Sequence, residues 1–150
     1  MKTSIVRVAQ KKDENELMKF LTEASVRSEG LADLIDYFLI MEDEEGEIKA
    51  TIGIEPYETV GLLRSLVMKS ETTAQTDLLY LLQQIFLLAK EKGLSTVYLG
   101  SNRKSTLQLF LLMGFQQVDK TELPTFLVEK EHIKNIQSVD NSFFLKYSLE

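Results

Sequence analysis

Short apolar runs separated by polar turns recur along the chain, and they predict β-strands. The predicted strands cover residues 5–8, 37–41, 48–54, 60–68, 96–100, 115–118 and 142–147. Residues 37–41 and 48–54 flank a charged turn at 42–46, so we expect these two strands to form an antiparallel hairpin.

Apolar residues spaced three and four apart predict α-helices between these strands. Asp13 precedes Glu16 by three residues, a capping-box pattern that predicts a helix start, and the apolar residues at 17, 20, 21 and 24 then share one helical face. Further helices are predicted at 31–35, 78–92, 106–113 and from 123 to about 136. The helix at 78–92 is apolar almost all round, so we expect it to lie buried against the sheet.

The order of these elements predicts the fold class. A strand, a helix and a strand follow one another from residue 60 to residue 100, which implies a parallel crossover, whereas the earlier hairpin is antiparallel. We therefore expect an α/β protein with a mixed sheet and a single domain over residues 1–150. The terminal Leu149 and Glu150 resemble a cloning scar and are assigned no role.

Composition and charge exclude several functional classes. The formal charge of −6, with scattered basic residues, argues against nucleic-acid binding. The absence of cysteine excludes thiolate metal sites and fits a cytoplasmic protein. No signal peptide or membrane span is predicted. With His132 as its only histidine, the chain lacks a Ser/His/Asp triad, and we predict no metal site. The acidic turn at 42–46 is interpreted as a solvated hairpin tip rather than a cation site.

Two motifs carry a resemblance to a known family. The first is Leu63-Arg64-Ser65-Leu66-Val67-Met68, followed by a polar turn and a long helix, and the second is the run from Leu109 to Phe115 with Gly114-Phe115 at its end. In this order they resemble the GNAT superfamily of N-acetyltransferases over nearly the whole chain. The segments 53–57, 62–66 and 122–124 look most similar to acetyltransferases associated with arsenic-resistance operons. The resemblance implies a mostly antiparallel mixed sheet flanked by helices.

The same resemblance implies where acetyl-CoA binds. The main chain of Leu66, Val67 and Met68 would hold its pantetheine arm, and one N–H would polarise the thioester carbonyl. The diphosphate would meet the loop and helix start at Thr73, Ala74, Gln75, Thr76, Asp77 and Leu78, and Asn102 is assigned to the same ligand. This loop lacks the family's glycines and its cation, and Asp77 adds a negative charge. Alternatively, Thr73, Thr76 or Asp77 serves only as an N-cap.

The acceptor side is expected at Arg64, which shares strand parity with Leu62, Leu66 and Met68. Arg64 would capture a carboxylate or phosphonate of the acceptor, or it would form an internal ion pair with Glu55 or Glu58. Glu55 is the candidate group for accepting the amine proton. Tyr57 is assigned to substrate binding, with simple packing as its alternative.

The functional prediction is an N-acetyltransferase that moves an acetyl group from acetyl-CoA to the amine of a small acidic acceptor. Many relatives carry a tyrosine proton donor where this chain has Phe110. The alternative is a GNAT-fold pseudoenzyme that has lost CoA binding and serves as a ligand-binding or interaction module. The expected partner is a small amine, and either a monomer or a homodimer is compatible with the sequence.

Overall fold

The computed structural model describes residues 5–26, 30–69, 75–101, 104–124 and 143–149. Three helices and seven strands lie within them: β1 (Ile5–Val8), α1 (Glu14–Glu23), β2 (Phe38–Glu42), β3 (Ile48–Tyr57), β4 (Val60–Met68), α2 (Gln75–Glu91), β5 (Thr96–Ser101), α3 (Lys104–Leu112), β6 (Gln116–Val118) and β7 (Phe143–Ser148). Short 3₁₀ turns cover Lys11–Asp13, Ile35–Tyr37 and Lys120–Glu122.

The strands form one mixed sheet in the order β1-β2-β3-β4-β5-β7-β6. β4 and β5 pair in parallel, whereas the β1–β2, β2–β3, β5–β7 and β6–β7 pairs are antiparallel. The predicted mixed sheet, the antiparallel hairpin and the parallel crossover through α2 are thereby confirmed. None of the described helices is long and apolar enough to cross a bilayer.

The chain divides into two compact units, one made of residues 1–55 and 63–93 and the other of residues 56–62 and 94–150. We call them the first and the second unit. The boundary falls within β3 and β4. The single domain expected from the sequence stays a prediction.

The core of the first unit lies between α1 and the sheet. It is built from Ala9, Leu17, Leu21, Leu31, Phe38 and Ile40. Leu17 and Leu21 are fully buried, as the helical spacing predicts, while Phe20 is half-buried and Ala24 is exposed. The apolar face of α1 is therefore narrower than the sequence pattern suggested.

Asp13 is the N-cap residue of α1, as the helix-start pattern predicts, but its side chain makes no capping hydrogen bond, so the predicted capping box is wrong. Its carboxylate instead accepts two hydrogen bonds from the Arg7 guanidinium, at 2.7 and 2.8 Å, and one from the Gln10 N–H at 2.7 Å. The hydrogen bonds from Arg7 lower the pKa of Asp13 to about 2, and the Gln10 N–H acts in the same direction. Because Arg7 offers charged donors, it outcompetes the helix N–H groups for this carboxylate.

Two other helix predictions change in detail. Residues 31–34 form turns that lead into the 3₁₀ segment Ile35–Tyr37 instead of a short α-helix. α2 begins at Gln75, earlier than predicted, and Tyr80 and Leu87 on it are 44% and 53% exposed, so its solvated stripe is wider than its composition suggested. The helix predicted from residue 123 lies mostly outside the described residues.

The second unit has its own apolar cluster of Leu62, Tyr98, Val118, Leu123 and Phe144. β5 and β7 pair along their whole length, from Thr96–Ser148 to Ser101–Phe143. Phe110 of α3 is 1% exposed and meets Phe115 edge to face, with ring centroids 5.0 Å apart. Such pairs add stability beyond the burial of their area.

Candidate acyl-transfer site

We infer a β-bulge at Ser65 in β4 from its backbone conformation and from the contacts on either side of it. Ser65 has a φ of +57°, a left-handed conformation that is uncommon outside glycine. Arg64 lies over the ring of Phe38, and Val67 packs against the core cluster that contains Phe38. Residues three apart reach the same face of a strand only if one extra residue intervenes. The predicted parity of Arg64 with Leu66 and Met68 is therefore wrong, since the bulge shifts the alternation by one.

Beyond the bulge, β4 offers backbone N–H groups along one edge. The Lys69 N–H donates to the carbonyl oxygen of Lys49 on β3, at 2.8 Å. Successive N–H groups of an extended strand point to opposite edges, so those of Met68 and Leu66 point away from β3. Among the described residues, the ladder between β4 and β5 extends only from Val60–Thr96 to Leu62–Tyr98. The predicted cofactor-binding main chain at Leu66, Val67 and Met68 thus lies past the end of that ladder.

Arg64 is held in place from three directions. Its side chain is 8% exposed, its Nη1 donates to Glu55 Oε1 at 3.3 Å, and its Nε donates to the Ser65 hydroxyl at 3.1 Å. Its guanidinium carbon lies 5.6 Å from the centroid of the Phe38 ring, a cation–π distance. The ion pair with Glu55, one of the alternatives left open by the sequence, is present.

Gly53 supports this arrangement from the neighbouring strand. It pairs with Phe38 across β2 and β3, and a Cβ added to Gly53 would lie 2.5 Å from Phe38 Cε2. Only glycine leaves room for the Phe38 ring to lie against this strand. The ring in turn supports the guanidinium of Arg64, so Gly53 contributes to the position of Arg64 through Phe38.

Lys49 and Asp77 form a second ion pair at the start of α2. Lys49 Nζ lies 3.2 Å from Asp77 Oδ2, and the two side chains are 5% and 22% exposed. The register shift that places Ile48 opposite Glu42 and Ala50 opposite Met41 leaves Lys49 as the extra residue of a bulge. Lys49 was not singled out from the sequence alone. The signal that could have found it is the presence of a lysine inside the apolar run 48–54.

The start of α2 corrects the alternative in which Thr76 or Asp77 is an N-cap residue. Because α2 begins at Gln75, Thr76 and Asp77 lie inside its first turn and neither is the N-cap residue. The charge of Asp77 is matched by a buried ammonium, and Leu78 is half-buried. Thr73, Ala74 and Asn102 were also assigned to the cofactor, but they lie outside the described residues, as does the side chain of Gln75.

The remaining assigned residues belong to different units. Arg64 and Glu55 come together in the first unit. Tyr57 belongs to the second unit, where it is half-buried and packs against the apolar cluster around Leu62. This contact favours the packing interpretation of Tyr57. Phe110 is a core residue with no group that could donate a proton.

The chain is similar to known proteins in sequence and in structure. No family model matches it. It is 32% identical over 142 residues to the uncharacterized protein YwlB of Bacillus subtilis strain 168, covering 94% of this chain and 95% of YwlB. Among solved structures it is similar to N-acetylglutamate synthase from Neisseria gonorrhoeae complexed with coenzyme A and N-acetyl-glutamate, with a TM-score of 0.76 and 23% identity over 99% of this chain.

Two further solved structures share the architecture over nearly their full lengths. A GNAT-family acetyltransferase from Staphylococcus aureus Mu50 has a TM-score of 0.74 at 15% identity, covering 99% of this chain and 100% of that one. Rv2747 from Mycobacterium tuberculosis, in complex with CoA, has a TM-score of 0.76 at 11% identity, covering 97% and 99%. By contrast, the chain spans only about a third (35%) of the N-acetylglutamate synthase chain. The chain therefore belongs to the same family as YwlB and has the GNAT acyltransferase fold.

Proposed function

We propose that this protein is a GNAT-type N-acetyltransferase that moves the acetyl group of acetyl-CoA to the amine of a small acidic, amino-acid-like acceptor. The observation that carries the proposal is the bulge at Ser65, which separates a paired segment of β4 from an edge of N–H groups at Leu66 and Met68. Structural neighbours with bound coenzyme A, one of them also with N-acetyl-glutamate, support it.

The donor side of the reaction rests on main-chain groups. Acetyl-CoA, when bound, supplies an activated thioester carbonyl. The N–H groups of Leu66 and Met68 would donate to the pantetheine arm of acetyl-CoA, which lies along β4 as an added strand would. One of these N–H groups stabilises negative charge on the carbonyl oxygen during attack. A strained φ at Ser65 costs about 1–3 kcal/mol, and strain of this kind tends to cluster at active sites.

The first turn of α2 would receive the diphosphate. Free N–H groups at a helix N-terminus and the helix dipole both favour an anion there. Lys49 supplies a cation from β3 beside this turn, and its contact with Asp77 offsets the negative charge that Asp77 adds. We propose that Lys49 takes over part of the role of the cation missing from the loop.

The acceptor side rests on Arg64 and Glu55. A guanidinium presents several N–H donors in one plane, so Arg64 can orient a carboxylate of the acceptor while it keeps its contact with Glu55. The amine nitrogen then attacks the carbonyl carbon, and the carbon–sulfur bond breaks. The amine proton passes to Glu55, directly or through water, and water protonates the thiolate because Phe110 carries no acidic proton.

The proposal is tested by thiol release from acetyl-CoA with a panel of acceptors. We expect turnover with amino acids that carry two carboxylates to exceed turnover with their amides, because a neutral amide cannot form the charged bidentate contact. Arg64→Lys should raise the acceptor KM about tenfold with an unchanged KM for acetyl-CoA. Arg7→Lys, which alters another partly buried arginine of the first unit, is the matched control and should leave both values unchanged.

Two outcomes would overturn the proposal. The first is folded protein that releases no thiol above the acceptor-free rate with any amine in the panel. The second is an Arg64→Lys variant with equal losses for both substrates, which would make Arg64 a structural residue only.

A further inference from the structure

A cavity of about 350 Å³ lies in the second unit, at the end of the sheet where β5 begins and β7 ends. Its volume is at the lower end of the range for small-molecule sites. Polar side chains of three strands line it: Thr96 and Tyr98 of β5, Gln116 of β6, and Lys146 and Ser148 of β7. None of these residues belongs to the proposed acyl-transfer site, so the cavity is an independent feature.

Strand register explains why these side chains converge. Lys146 pairs with Tyr98 on one side and with Gln116 on the other, so the three lie in one row across the sheet. Thr96 and Ser148 form the neighbouring pair two residues along the same strands. Since residues two apart share a face, all five point to the same side of the sheet. Gly114 at the cavity wall adds no side chain.

Two of these side chains, Tyr98 and Lys146, matter most for a ligand. Tyr98 is only 7% exposed, and Lys146 is half-buried. Over the described ranges, neither the Tyr98 hydroxyl nor the Lys146 ammonium makes a hydrogen bond or an ion pair. Both residues line the cavity, so both groups are available to a polar ligand that enters it.

The charge of the lining specifies the ligand class. Lys146 is its one charged residue among the described residues, and Thr96, Ser148 and Gln116 add neutral donors. Burial raises the pKa of Tyr98, so its hydroxyl stays protonated and remains a donor at neutral pH. An ammonium surrounded by hydroxyl and amide donors suits an anion and disfavours a cation.

We propose that this cavity binds a small organic or inorganic anion through a carboxylate or phosphate group, with Lys146 as its counter-ion and Tyr98 as a hydrogen-bond donor. The oxygens of the ligand would contact Lys146, Tyr98 and Gln116, which lie in one row across the sheet. Thr96 and Ser148 line the same cavity. A bound anion accepts from the Tyr98 hydroxyl and is paired with the Lys146 ammonium.

The test is a titration of the full chain with inorganic phosphate and, separately, with succinate, followed through backbone amide shifts at constant ionic strength kept with sodium chloride. We expect saturable shifts confined to Thr96, Tyr98, Gln116 and Lys146. The two probes separate a phosphate site from a carboxylate site, because the tighter of the two identifies the preferred group.

Three variants sharpen the result. Lys146→Gln removes the charge and should weaken binding at least about tenfold, and Tyr98→Phe removes only the hydroxyl and should weaken it roughly threefold to tenfold. Lys92→Gln, which changes a half-buried lysine of the first unit, should bind as the wild type does. If Lys146→Gln does not fold, Tyr98→Phe decides alone. Non-saturating shifts with both probes, or equal affinity in wild type and Tyr98→Phe, would overturn the proposal.

Discussion

Removing Asp77 should destabilise the protein more than removing its partner Lys49, although both changes break the same ion pair. The atoms Lys49 Nζ and Asp77 Oδ2 are 3.2 Å apart, which corresponds to a gross attraction of about 5 kcal/mol at an effective dielectric constant of about 20. Most of this attraction is offset by the cost of taking both charges out of water. The net effect of each substitution therefore depends on what is left behind.

The remaining charge differs between the two variants. Asp77→Asn leaves the Lys49 ammonium, whose side chain is 5% exposed, without this carboxylate, and it also removes a favourable negative charge from the first turn of α2. We expect a loss of about 2–4 kcal/mol in the free energy of unfolding. Lys49→Met leaves the Asp77 carboxylate, which is 22% exposed and can be hydrated, so its loss should be about 1 kcal/mol.

Urea unfolding at neutral pH, followed by far-ultraviolet circular dichroism, measures both losses. The pair of Lys92 and Asp36 is more exposed, with side chains 27% and 57% exposed, and it is the matched control. Lys92 Nζ lies 2.9 Å from Asp36 Oδ2. Lys92→Met and Asp36→Asn should each cost less than about 1 kcal/mol. A Lys49→Met variant that loses as much stability as Asp77→Asn, or more, would show that the burial of Lys49 does not decide the loss.

Three further predictions concern substitutions of Asp77, Asp13 and Gly53. Asp77→Asn should tighten acetyl-CoA binding about threefold to tenfold, measured by calorimetry on the folded protein, because it removes a negative charge beside the proposed diphosphate site; unchanged or weaker binding would contradict the placement. Asp13 is stabilised as the charged form, so Asp13→Asn should cost about 2 kcal/mol at neutral pH, corresponding to the shift from 3.8 to about 2. Since the pKa of Asp13 is lower in the folded state than in the unfolded state, this stability is present above about pH 4 and is lost as the pH falls towards 2. Urea unfolding at several pH values should therefore show that the stability difference between the wild type and Asp13→Asn vanishes near pH 2. Gly53→Ala should lower the melting temperature, with a loss of about 1–3 kcal/mol from the clash with Phe38, and Phe38→Leu in the same chain should recover part of it. An alanine variant as stable as the wild type would contradict the close approach of that ring.

The fold was largely predictable from local patterns. Strand β4 has the predicted bounds, Val60–Met68, because turn residues delimit an apolar run on both sides. The hairpin of β2 and β3 follows for the same reason. Asp13 shows where a local pattern fails, since Arg7 reaches its carboxylate from β1 and outcompetes the helix N–H groups.

The site was less predictable because it depends on register. The bulge at Ser65 changes which β4 residues share a face, and a left-handed serine has no sequence signature. Lys49 and Asp77 are 28 residues apart, and Tyr98 and Lys146 meet only because β5 and β7 pair in one particular register. Arg64 was found because a buried guanidinium requires an anionic partner, which constrained its surroundings to a few glutamates.

We propose that the edge of β4 beyond Ser65 and the first turn of α2 together bind acetyl-CoA. A titration of the labelled protein with acetyl-CoA, followed through backbone amide shifts, tests this binding site. We expect saturable shifts at Leu66, Val67 and Met68 and at Thr76, Asp77 and Leu78. No response at millimolar acetyl-CoA, or shifts that spare the β4 edge, would contradict it.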